Sequence, residues 1–204
     1  FMNKVYFSLA FHAHQPVGNF HEVIEDAYEH SYLPFLQMLE SHPGIRISMH
    51  FSGTLFEWIE RNHPEYFDQL RSLIASRQIE LLGGGFFEPI LPLIPERDAL
   101  AQIERLSEFI QSRFHCRPRG LWLAERVWEP HLPRFLAQAG VTWTVVDDSH
   151  FKMVGLADAE LRGYYLSEEE GQAVGIFPSL KLLRYVIPWR DVDEVIATFR
   201  TWAE

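Results

Sequence analysis

Apolar runs of strand length alternate with helical patterns through the first 150 residues, and that alternation narrows the folds open to this chain. VYFSLAFH (5–12), GIRISMHFS (44–52), QIELLGGGFFE (78–88), LWLAERVW (121–128) and VTWTVVDD (141–148) read as strands. Helical patterns fill the gaps, and PERDALAQIERLSEFIQSRF (95–114) is the clearest amphipathic helix among them. Pro64 stands where a first-turn proline is tolerated, and Gly140 where a glycine closes a helix. Strands alternating with helices predict an α/β fold built from parallel βαβ units. After residue 150 the rhythm breaks into short β-like pieces, followed by a last helix in DVDEVIATFRTWAE. With no linker, repeat or low-complexity stretch, residues 1–204 read as one domain. The pattern stops in mid-course, so a piece of a longer chain is expected.

Composition removes several classes of function. With 204 residues, 47% of them hydrophobic, the chain can bury one substantial core. No apolar run approaches the roughly 20 residues of a membrane span, and FMNKVYF lacks the layout of a signal peptide. A net charge of −10 without a basic stripe argues against nucleic acid or an anionic membrane as partner. The single cysteine, Cys116, excludes an internal disulfide framework, so a cytoplasmic setting is expected.

The strand ends carry the chemistry. Strand one ends in His12 and His14, strand two in His50 and Ser52, and strand three in Glu88. Strand four carries Glu125, and strand five ends in Asp147, Asp148 and His150. Taken singly, each has a plain reading: core histidines, turn or capping aspartates, a bend at Gly83–Gly85. Their collection at the carboxyl ends of successive strands points instead to a site, since that face of a β/α barrel carries catalytic loops. An acid beside an apolar run, as in LWLAERVWEP, is then tolerated because the strand end opens into a cleft.

FHAHQPVGNF (11–20) resembles the first block of glycoside hydrolase family 57, with its His-x-His-Gln-Pro signature. GGGFFEPIL (83–91) and WLAERVWEP (122–130) resemble the second and third blocks, and VVDDSHF and LRYVIPWR the stretches that follow in its 4-α-glucanotransferase branch. The resemblance implies an incomplete (β/α)7 barrel, TIM-like and cut short at its carboxyl end. It also implies a retaining hydrolase or 4-α-glucanotransferase acting on starch, glycogen or maltooligosaccharides, with no cofactor and no metal. Glu125 matches the nucleophile. His12, His14 and Glu88 match positions lining the sugar subsites. Arg126 stands next to Glu125, where a cation favours an ionised carboxylate. Trp122 and Trp128 offer flat faces to sugar rings or pack in the core, and Asp148 belongs to the substrate-binding set.

A retaining mechanism needs a second carboxyl group about 5–5.5 Å from the first. The family's acid/base aspartate sits in a later Asp-Asp-Gly-Glu block, which this sequence does not contain. Residues 1–204 alone are therefore expected to be inactive. Two other readings stay open: a zinc hydrolase of deacetylase or mannosidase type using His12, His14, Asp147 or Asp148 and His150, and a non-catalytic carbohydrate-binding homologue. Oligomeric state is equally open, since a partial barrel exposes strand edges.

Overall fold

In the computed structural model, which describes residues 4–203, three parallel strands come first. Strands β1 (Ala10–Ala13), β2 (Ile47–Phe51) and β3 (Ile79–Leu82) pair in that order. The register sets His12 against His50 and His50 against Leu82. β2 is buried at every position. That is why it reads as a nearly unbroken apolar run, as parallel strands covered on both faces do.

A second sheet holds β4 (Gly120–Leu121), β5 (Trp143–Asp147), β6 (Tyr165–Glu169) and β7 (Gln172–Ser179), in the spatial order β4-β5-β7-β6. β4, β5 and β7 are parallel, and β6 joins β7 as an antiparallel hairpin. The two sheets meet at a single bridge. The Gly83 N–H donates to the Gly120 carbonyl at 2.9 Å, and the Trp122 N–H donates to the Gly83 carbonyl at 2.8 Å. The strand ends of both sheets thereby share one rim.

Helices supply the outer layer. α1 (His21–Ala27) and α2 (Leu33–Glu40) are joined by a π-helical stretch, Tyr28–Tyr32. α3 (Gly53–Asn62) and α4 (Glu65–Ala75) follow β2, and α5 (Glu96–Phe114) follows β3. α6 (Leu132–Gln138), α7 (Asp148–Met153), α8 (Lys181–Val186) and α9 (Val192–Ala203) complete the chain. One apolar cluster packs β1–β3 against α1–α5, and another packs α5 and α6 around β4 and β7. None of the described helices is long and apolar enough to cross a membrane.

Three boundaries differ from the sequence expectation. β1 begins at Ala10 rather than Val5, because the exposed residues before it find no paired strand. β3 stops at Leu82, where the glycine run begins. The expected eight-residue fourth strand is only Gly120–Leu121, since the backbone turns sharply at Ala124–Arg126. Beyond residue 150 the β-like pieces resolve into the β6–β7 hairpin, with helices on either side.

Candidate active site

The turn after β4 answers why an acid follows an apolar strand. The Arg126 N–H closes it by donating to the Leu123 carbonyl at 2.8 Å. Glu125, the third of these four residues, has φ +52° and ψ 8°, a left-handed position that turns of this kind usually give to glycine. Arg126 follows with φ +53°, and Glu88 has φ +57°. Non-glycine residues held there cost about 1–3 kcal/mol each and cluster at functional sites. The same backbone region is taken by Glu170 in the β6–β7 turn and by Arg77 and His115; what sets Glu88, Glu125 and Arg126 apart is that they lie at the strand ends beside the histidines. The Glu125 residue is exposed on this turn.

Around β1 and β2 the histidines converge on Glu88. His12 Nε2 lies 3.0 Å from Glu88 Oε1 and His14 Nδ1 contacts Glu88 Oε2, both without the alignment of a hydrogen bond. The Glu88 side chain is 10% exposed, against 28% for His12 and 35% for His14, so the cluster opens to solvent on the histidine side. Trp122 lies parallel to His12, with ring centres 4.7 Å apart and planes 6° from coplanar directions. Arg126 holds its guanidinium 5.7 Å from the Trp122 ring centre, within cation–π range.

Local structure fixes each of these groups. The loop after His14 is tied by Gln15, which donates to the Tyr32 hydroxyl at 2.9 Å and accepts from Asn19 at 2.7 Å. The loop bearing Glu88 is anchored by buried Phe86, whose carbonyl accepts from the Gly53 N–H at 2.9 Å. Gln102 of α5 also accepts the Phe87 N–H at 3.0 Å, and Arg105 covers the Phe86 ring at 3.9 Å.

His50 completes the cluster, and its place at a strand end is its one mark in the sequence. It is fully buried, and its Nδ1 shares a hydrogen bond with His12 Nδ1 at 2.9 Å. Burial, and then the neighbouring imidazoles of His12 and His14, push its pKa well below the usual value. Its close packing depends on Gly84, where a Cβ would stand 2.6 Å from His50 Nε2.

The remaining expected residues are held by other contacts. Arg126, expected to serve Glu125, donates from Nε to Asp147 Oδ1 at 2.7 Å, and Arg184 donates to the same oxygen at 2.6 Å. Asp148 is buried, and its Oδ2 accepts the Lys181 N–H at 3.3 Å and lies 3.2 Å from Lys152 Nζ. It ties α7 to α8, so its contacts are those of a structural acid. Trp128 packs against two apolar clusters, and only Trp122 faces the histidines.

Donor atoms of His12, His50 and Glu88 lie within 4.8 Å of one another, which is the spacing of a possible metal site. Their orientation does not suit one. The two imidazole centres are 5.0 Å apart with the planes 19° from parallel. With the facing nitrogens at 2.9 Å, the rings stand edge to edge and each Nδ1 is aimed at the other, not at a shared third point. The zinc set considered from sequence fares no better, since Asp147 and Asp148 are held by arginines and lysines.

These contacts sit in blocks shared with known proteins. The family model described as glycosyl hydrolase family 57 matches residues 8–204. An "Alpha-amylase 1" from Dictyoglomus thermophilum is 52% identical over 95% of this chain and 28% of its own length. A "4-alpha-glucanotransferase" from Thermococcus kodakarensis is 45% identical over 96% of this chain and 30% of its own length. The crystal structure of 4-alpha-glucanotransferase from Thermococcus litoralis superposes with a TM-score of 0.95 at 43% identity, covering all of this chain and 32% of that one. The chain thus spans about a third of the length of these relatives, and it belongs to glycosyl hydrolase family 57.

Proposed function

We propose that the whole protein cleaves or transfers α-glucan chains with retention, using Glu125 as the nucleophile. The observation that carries this reading is the left-handed turn at Glu125, in a chain matched to the family over residues 8–204. The turn leaves the Glu125 side chain exposed just past the end of β4, where an attacking carboxylate can meet a substrate. The relatives named alpha-amylase and 4-alpha-glucanotransferase support the substrate class.

In this scheme Glu88, His12 and His14 bind sugar hydroxyls, and Trp122 lends a flat edge to the same pocket. Arg126 is fixed by Asp147 and holds the wall between Trp122 and the turn. We read the parallel strands β1-β2-β3-β4-β5-β7 as part of an incomplete (β/α)7 barrel. The acid/base carboxyl group is proposed to lie in the part of the relatives' length that this chain does not span. Single-cysteine composition further suggests a cytoplasmic, reducing compartment.

The test is Glu125→Gln in the whole protein, assayed on maltotriose and longer maltooligosaccharides for glucose release and product ladders. Turnover should be abolished while oligosaccharide binding is largely kept, because the change removes the attacking oxygen with little change of shape. Near-normal turnover would mean that Glu125 is the wrong glutamate.

A further inference from the structure

We infer that His50 is a positioning residue, whose Nδ1–H donates to His12 Nδ1 and thereby fixes His12 as the tautomer with its Nε2–H beside Glu88. The argument begins from a shared proton. The two Nδ1 atoms are 2.9 Å apart and aimed at each other, so between neutral rings one must donate and the other accept.

The far side of His50 decides which. His50 Nε2 is buried without a hydrogen-bond partner and lies against Gly84, close to where a Cβ would be. If His50 carried its proton on Nε2, that N–H would face Gly84 with no acceptor aligned to take it among the described residues, the nearby Trp122 carbonyl included. Orphaned buried N–H groups are rare, because a donor taken out of water without a partner keeps the full cost of its desolvation. With the proton on Nδ1, only a bare lone pair faces Gly84, and the donor is satisfied by His12. Burial that keeps His50 neutral supports the same arrangement.

The consequence reaches Glu88. His12 accepts at Nδ1 and so carries its proton on Nε2, 3.0 Å from Glu88 Oε1. His50 therefore sets which nitrogen of His12 carries the proton beside Glu88, from a position that touches no substrate, and Glu88 stays an acceptor for ligand hydroxyls. This last step rests on the glucan reading above; the tautomer assignment does not.

The test is long-range proton–nitrogen correlation NMR on protein labelled with ¹⁵N-histidine, at neutral pH and without substrate. The expected result is a protonated Nδ1 and bare Nε2 on His50, with the reverse on His12. A His50 protonated at Nε2, or a His12 averaging between tautomers, would overturn the inference. His50→Gln, whose amide can still donate, should keep His12 in the Nε2–H form, and His50→Phe should lose that preference. A His50→Phe protein that folds and keeps it would also overturn the inference. If that variant does not fold, the wild-type spectrum decides alone. Since no turnover is measured, the expected spectrum together with an active Glu125→Gln enzyme would sink the glucan mechanism and leave the tautomer relay standing.

Discussion

Helices α3 and α9 look alike in sequence and end in opposite surroundings. α3 puts Leu55, Phe56 and Ile59 on one side, and all three are fully buried. α9 repeats apolar residues at Val192, Val195, Ile196, Phe199 and Trp202, a helical spacing, yet none of its residues is buried. The difference lies in what surrounds them. α3 sits among the strands β1–β3 and helices α4 and α5, which close over it. α9 meets Phe7 through Phe199, with ring centres 4.7 Å apart, and Arg162 across the Trp202 ring at 5.2 Å. An amphipathic pattern therefore states that a helix has a face to cover, and says nothing of what covers it.

The largest expected effect breaks the buried side of this comparison. Phe56 packs its ring on Phe51 at 4.6 Å, on Phe109 at 5.6 Å and on Phe114 at 5.5 Å. Phe56→Ala should destabilise the protein by about 3–5 kcal/mol, the transfer and cavity cost of an aromatic in a close-packed core. Urea denaturation would read it as a lower midpoint with an unchanged slope. A loss below 1 kcal/mol would mean that α3 is no better covered than α9.

A smaller effect comes from His50, in the strand α3 helps to bury. Its folded-state pKa is depressed by burial and by the neighbouring His12 and His14, while the unfolded value is about 6.5. Below pH 6.5 the unfolded chain binds a proton that the folded protein refuses. The His50 contribution is therefore complete above that pH and is lost as pH falls, at up to about 1.4 kcal/mol per unit until the folded pKa is passed. Stability measured at pH 7.0, 6.5, 6.0 and 5.5 should fall along this limb, and less steeply in His50→Gln. Equal slopes in the two proteins would show that His50 is not held neutral by the fold.

Much of this was legible beforehand, for reasons that particular residues make plain. The parallel strands follow from apolar runs such as ISMHF, and the rim of His12, His14 and Glu88 from polar residues recurring at strand ends. The turn at Glu125 was hidden, because glutamate carries no signal for a left-handed backbone and LWLAERVW reads as a longer strand. His50 is legible only as one more polar strand end, because its meaning depends on His12, 38 positions away, and on Gly84 leaving room. Trp122 and Trp128 could not be told apart by type. Where the chain turns after β4 decides that one faces His12 and the other packs inside. Asp147 and Asp148 are similarly ambiguous in sequence, because the cations that hold them come from α7, α8 and the turn at Arg126.

The smallest expected effect belongs to α9. Ile196 is 39% exposed, so truncating it removes only part of the apolar burial that a core isoleucine provides, at roughly 25 cal/mol per Å². Alanine is also the better helix former, by a few tenths of a kcal/mol. The two terms oppose each other, and Ile196→Ala in the 204-residue chain should change stability by no more than about 0.5 kcal/mol, the range of ordinary surface substitutions. Amide exchange offers the matching readout, since segments with few buried apolar contacts open at low free energy. The α9 amides should exchange well before those of Leu55–Ile59, and the variant should leave the α3 rates unchanged. A loss of about 2 kcal/mol or more, with α9 protected as strongly as α3, would mean that something covers this face in solution, and the contrast between the two helices would fail.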